Sequence, residues 1–120
     1  MVIAVDFDGT LCEHCYPEIG QPHVDLIQSL IEARKRGHKL ILWTCREDEY
    51  LANAVEWCHR QGLDFDAVNQ NLVENIIACR ADPRKIFADA YVDDRAVIPT
   101  SENIMDMVAA ASSLGFLGNK

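Results

Sequence analysis

Two aspartates one residue apart follow directly on a run of four apolar residues: Val2 to Val5 lead into Asp6-Phe7-Asp8-Gly9-Thr10. A period of two puts the Asp6 and Asp8 side chains on one side while the chain stays extended. Two carboxylates held together are unfavourable unless something positive joins them. Gly9 permits the sharp bend that must follow, and the Thr10 hydroxyl can tie that bend down. A second acidic pair, Asp93-Asp94, ends another apolar run, and Thr44 and Arg46 stand at the end of a third. Carboxylates, a hydroxyl and a guanidinium, each at the end of an apolar run, suit a site for a cation and an anionic ligand together.

The elements that must position these residues follow from the apolar pattern. Residues 2–6, 39–44, 66–69 and 88–92 are expected strands; the first two are rich in Val, Ile and Leu and lack alternation, as in strands buried on both faces. Helices are expected over 23–36 and 48–61, where Val24, Ile27, Leu30 and Ile31, then Leu51, Ala54, Val55 and Cys58, keep helical spacing before Gly37 and Gly62. A last helix is expected over 101–114, with Ser101 as its cap. Residues 70–84 stay open between helix and loop, since Leu72, Ile76 and Ile77 hint at a helix and Asp82-Pro83 breaks it. Strands alternating with helices imply an α/β fold: a Rossmann-like three-layer sandwich around a mainly parallel sheet of four to five strands. In such sheets ligands sit at the carboxyl ends of the strands, near a switch in strand order. Asp6, Asp8, Thr44, Arg46, Asp93 and Asp94 all fall on that edge.

With these residues the chain resembles the haloacid dehalogenase-like phosphohydrolases. Their first motif, DxDGT, matches residues 6–10; their second, a Thr or Ser ending the next main strand, matches Thr44; their third, a lysine, matches Lys85; their fourth, an acidic pair, matches Asp93 and Asp94. The resemblance spans residues 1–95 with the motifs in order. It implies that Asp6 attacks phosphorus to form an aspartyl-phosphate, and that Asp8 protonates the leaving oxygen and then activates water. It implies Mg²⁺ held by the carboxylates of Asp6 and Asp93 and the backbone carbonyl of Asp8, with Asp94 ligating directly or orienting a metal-bound water. Thr44 would bond the phosphoryl oxygens, with Gly9 and Thr10 beside it, and Lys85 would offset negative charge. The presence of Asp8 favours phosphoryl transfer over dehalogenation. Family members choose substrates with a cap domain; here residues 11–22 leave room only for a short flap, and 44–85 for two elements and a loop. The resemblance therefore implies one capless domain over residues 1–120, acting on a small phosphorylated metabolite such as a sugar phosphate. His14, Tyr16 and Arg46 are candidates for substrate contact, and residues 70–84 are expected to face the flap across the site.

Each motif has a plainer reading. Asp6 and Asp8 could cap a helix, Asp93-Asp94 could be a turn, and Thr44 could be structural. Lys85 could simply be solvated, with Lys39 a rival for the cationic role, and Arg46 could pair with Glu47 or Asp48. A phospho-receiver module is a different class of answer, but it would want its phosphoacceptor at the end of the third strand, where Asn69 stands. A binding module without turnover is another, and a nucleotide or polynucleotide-end phosphatase is the alternative within the enzymes.

The bulk numbers narrow the classes. The chain has 120 residues, 49% of them hydrophobic, with a net charge of −8. It is long enough for one core. The negative balance disfavours nucleic acid, no apolar run approaches the ~20 residues of a membrane span, and nothing resembles a signal peptide, so a cytoplasmic protein is expected. A homo-oligomer covering an uncapped site is compatible with this. Five cysteines make a complete disulfide framework unexpected. The Cys12-Glu13-His14-Cys15 segment could be half of a zinc site, but lacks a second close pair; the plain alternative is free thiols on a loop.

Overall fold

The computed structural model describes residues 1–96; the helix expected over 101–114 lies outside them. In chain order the elements are β1 (Val2–Val5), α1 (Val24–Lys35), β2 (Lys39–Leu42), α2 (Asp48–Arg60), β3 (Ala67–Val68), α3 (Val73–Cys79) and β4 (Ala90–Val92). The four strands form one parallel sheet in the order β3-β2-β1-β4. This is the α/β Rossmann-like sandwich that the alternation of patterns implies.

Topology decides which face each connection covers. The chain steps from β1 to β2 to β3 in one direction, then returns past β1 to β4. Right-handed crossovers put the connections of the two directions on opposite faces. Ile27 and Leu30 of α1 and Ala54 and Cys58 of α2 accordingly share a core with Ile3, Val5, Leu40 and Leu42. The alternate side chains Ala4, Ile41 and Ala67 point to the other face and meet Leu72 and Ile86 from the return connection. The reversal of strand order falls between β1 and β4, so the loops leaving those strands diverge and open a crevice.

Residues 70–84 resolve into α3 and a following loop. Arg80 in the left-handed conformation ends the helix. No residue of α3 is buried; Leu72, just before it, carries the apolar contact. Asn71 is buried and holds the loop: its amide donates to Asp82 Oδ1 at 2.7 Å and to the Pro83 carbonyl at 3.2 Å, and its carbonyl accepts from the Phe87 N–H at 2.6 Å.

The flap begins as expected at Leu11. Its two arms are joined by the Glu13 N–H on the Gln21 carbonyl and the His23 N–H on the Leu11 carbonyl. The His23 ring bonds the Thr10 carbonyl at 2.6 Å, which ties the start of α1 to the bend after β1.

Because the buried Asn71 side chain serves three partners in the 82–87 segment, Asn71→Leu should destabilise the protein by about 2–3 kcal/mol in urea unfolding. A loss under about 0.5 kcal/mol would show that the 82–87 segment is held by something else.

Candidate functional site

Asp6 follows β1, and Asp93 and Asp94 follow β4, its parallel neighbour across the switch point. One carboxylate oxygen from each lies within 4.8 Å of the others. Burial and, after it, the charge of Asp93 push the Asp6 carboxyl up to about 6, well above the ordinary carboxylate range. Three hard oxygen donors that repel one another are a donor set suited to a small divalent cation, whose charge would reverse the cost of ionising Asp6. The carboxylate of Asp8 is not part of this triad.

Thr10 and Gly9 set the spacing. The buried Thr10 hydroxyl donates to Asp6 Oδ2 at 3.1 Å and accepts from the Asp94 N–H at 3.0 Å, with Asp94 Oδ1 at 3.4 Å. It stitches the loop after β1 to the loop after β4. The expectation that Thr10 binds phosphate is therefore corrected: its one proton is directed to the carboxylates. Gly9 has φ +83°, and a Cβ there would collide with the Asp94 carboxylate. A side chain at this position would be strained and would displace a member of the triad.

Arg46 is the second organising residue, and its surroundings differ from both sequence readings. Its side chain is 1% exposed. Nε and one terminal nitrogen donate to the two oxygens of Asp8, each at 2.8 Å. The remaining donors go to the carbonyls of Glu18 (3.0 Å), Pro17 (3.2 Å) and Tyr50 (3.4 Å). A guanidinium has five N–H donors, and all five are used. Its carbon lies 5.0 Å from the centre of the Phe7 ring and 5.1 Å from that of Tyr16. Arg46 thus pairs with Asp8, not with Glu47 or Asp48, and has no donor left for a phosphate. It fastens the flap and the first turn of α2 to the loop after β1.

A cleft of about 340 Å³ opens over these residues, with Asp6, Asp8 and Asp93 on its acidic side and Thr44 and Cys45 beside them. The Thr44 hydroxyl accepts from the Arg46 N–H at 3.1 Å, so its own proton is available to a ligand. The Thr44 N–H is held by Asn69 Oδ1 at 2.8 Å. His14 and Tyr16 reach the cleft from the flap, and Arg95 from the segment after β4.

Several expectations need correction. Lys85 is exposed and does not line the cleft. Its neighbour Ile86 is buried against the sheet, while Lys85 sits in the exposed bend before it. None of residues 70–84 lines the cleft either, because the return connection covers the face of the sheet instead of its edge. Cys12 is buried and Cys15 exposed, so the CxxC does not converge on one point; the five thiols are free. Burial raises the Cys12 thiol and pushes that of Cys58 up to about 12. Two residues were not singled out for the site by the sequence. Asn69, weighed there only against a receiver's phosphoacceptor, follows β3 with φ +53°, a conformation asparagine tolerates, and its place at a strand end was the signal for it. Arg95 was legible only as the residue after an acidic pair.

Arg46→Ala should destabilise the protein by about 3 kcal/mol in urea unfolding, since it strands Asp8 and three carbonyls; Arg46→Lys, which lacks the fork, should recover less than half. A loss below about 1 kcal/mol for Arg46→Ala would contradict the clamp. The Asp6 shift gives a second expectation, for metal-free protein. An acid whose pKa rises on folding destabilises the folded state once the unfolded chain ionises, so its penalty grows between about pH 4 and pH 6 and is constant above. Asp6→Asn should therefore melt higher than wild type in EDTA at neutral pH, and the gap should close as pH falls to about 4. A gap independent of pH would show that Asp6 is not under this strain.

No family model matches the chain, and no curated protein matches it. Among solved structures it is similar to a conserved protein from Bacteroides thetaiotaomicron: 38% of residues are identical, the match covers 100% of this chain and 98% of that one, and the TM-score is 0.73. Identity at this level over the whole of both chains shows common descent as well as common fold, and the chain belongs to the same family as this conserved Bacteroides protein.

Proposed function

We propose that the chain is a small, capless haloacid dehalogenase-like phosphatase that hydrolyses phosphomonoesters of small metabolites through an aspartyl-phosphate on Asp6. The observation that carries this reading is the meeting of Asp6, Asp93 and Asp94 at the switch point, with the Asp6 carboxylate fixed by Thr10. Asp6, Asp93 and Asp94 would hold Mg²⁺, which supplies positive charge to the phosphoryl oxygens and to the crowded carboxylates.

Each nearby group then has a role. Asp6 is the nucleophile, and its fixed orientation removes the entropy cost of aiming it. Thr44 donates its free proton to a phosphoryl oxygen. Asp8 is two residues along the same loop and serves the leaving oxygen and the attacking water. As found, both its oxygens accept from Arg46, the geometry of an ionised carboxylate in a guanidinium fork. To act as an acid it must give up at least one of those bonds and take a proton. As a base for water in the second step it needs only one bond loosened. The cleft volume, at the small end of ligand pockets, suits a metabolite better than a polymer. Five free thiols suit a reducing cytoplasm, and no helix among the described residues is long and apolar enough to cross a membrane.

The test is phosphate release from a panel of sugar phosphates, nucleoside monophosphates, a phosphorylated oligonucleotide and an aryl phosphate, with Mg²⁺ and with EDTA. Turnover of roughly 1 s⁻¹ or more on the best substrate is expected with Mg²⁺, and a loss of at least about a thousandfold in EDTA or in Asp6→Asn. Release that survives Asp6→Asn would rule out the aspartyl-phosphate route. One phosphate retained per chain, without turnover, would indicate a receiver instead.

A further inference from the structure

Two polar side chains on the rim of the cleft are not used by the roles above. Arg95 directly follows the acidic pair, yet its guanidinium makes no ion pair with Asp6, Asp93 or any other carboxylate among the described residues. Its backbone is fixed, with its N–H on Asp93 Oδ1 at 2.8 Å, while its exposed side chain lines the cleft. His14 also lines the cleft, from the flap, and its ring makes no hydrogen bond with another described residue. Arg46, the other cation of the cleft, has every donor taken. Arg95 is therefore the one cleft-lining cation among the described residues whose fork is open to a ligand.

The charge pattern is uneven. On the phosphatase reading the acidic side of the cleft takes a cation and a phosphoryl group, and Arg95 adds a guanidinium that forms no ion pair with those carboxylates. A guanidinium fork matches a carboxylate or a phosphate in particular, through two parallel hydrogen bonds.

We infer that Arg95, which lines the cleft with His14, forms a second anion-recognising position there, so that the site selects phosphomonoesters carrying a second anionic group, a carboxylate or another phosphate. This rests on the phosphatase reading for the first anion only. Arg95 would set specificity and take no part in transferring the phosphoryl group.

Matched pairs test it. Phosphoglycerate against glycerol phosphate adds a carboxylate; a hexose bisphosphate against the hexose monophosphate adds a phosphate. Turnover is measured on both pairs. Binding is measured on the corresponding phosphonates, which no phosphatase cleaves, by calorimetry with Mg²⁺. Wild type should prefer the doubly anionic member of at least one pair by about tenfold to a hundredfold, the range of a charge-assisted pair. Which pair shows it identifies the second group. Arg95→Gln should collapse that ratio towards one, chiefly through KM, and Arg95→Lys should restore part of it. Equal binding of both members by wild type would overturn the inference. So would an equal loss on both in Arg95→Gln, which would place Arg95 on the transferred phosphoryl group. Absence of turnover on every substrate would sink the phosphatase reading alone, since the phosphonate preference is judged separately.

Discussion

The repulsion among Asp6, Asp93 and Asp94 is the constraint on which the rest of the site depends. Three carboxylates are held within 4.8 Å of one another although burial and mutual charge push one of them up to about 6. Such an arrangement survives only where the backbone leaves no alternative. Here parallel pairing of β1 and β4 fixes where both chains leave the sheet, and the Asp6 N–H bonded to the Val92 carbonyl continues that pairing one residue past β1. Gly9 lets the Asp94 carboxylate come close, and Thr10 holds it there from the other side. The strain sits where strand order reverses, the one place on the edge where adjacent loops part and leave room for a ligand.

Arg46 solves a different problem. A flap of a dozen residues has little core of its own, and Tyr16, Pro17 and Glu18 on it are exposed. The guanidinium anchors it through two flap carbonyls and the Tyr16 ring, and Tyr16 also meets Tyr50 at 5.8 Å between ring centres. The same side chain fixes Asp8. Position of the flap and position of Asp8 are thus one mechanical variable.

Much of this was legible in the sequence, for reasons that can be named. β1 and β2 were readable because both of their faces are covered, which forces continuous apolar runs such as KLIL and VIAV. Helices α1 and α2 were readable because one face of each is buried at helical spacing. The acidic triad followed from placing motifs on strand ends. What was not legible was partnership. Arg46 was expected to face a phosphate or an adjacent acid, and its partner is 38 residues earlier. Thr10 was expected at a phosphate and bonds Asp94, 84 residues away. Segment 70–84 shows the limit on elements: Ile76 and Ile77 gave only a hint of α3, which buries none of its residues, and the face it covers depends on the direction of the crossover.

Charge bookkeeping also orders events at the site. The Asp8–Arg46 pair is neutral as a unit, and the triad adds up to three negative charges. A phosphate monoester brought to that triad alone would meet repulsion on the scale of about 1 kcal/mol per charge pair at 4 Å in water, and about 4 kcal/mol near a protein surface. Among the described residues no cation forms an ion pair with the triad: Arg46 is spent on Asp8, Lys85 does not line the cleft, and Arg95 pairs with none of the three. The relief, on the phosphatase reading, would come from a cation taken up from solution before the ester settles. On the phosphatase reading, the acidic triad is then not a flaw tolerated at the switch point but the device that makes ester binding conditional on a divalent cation.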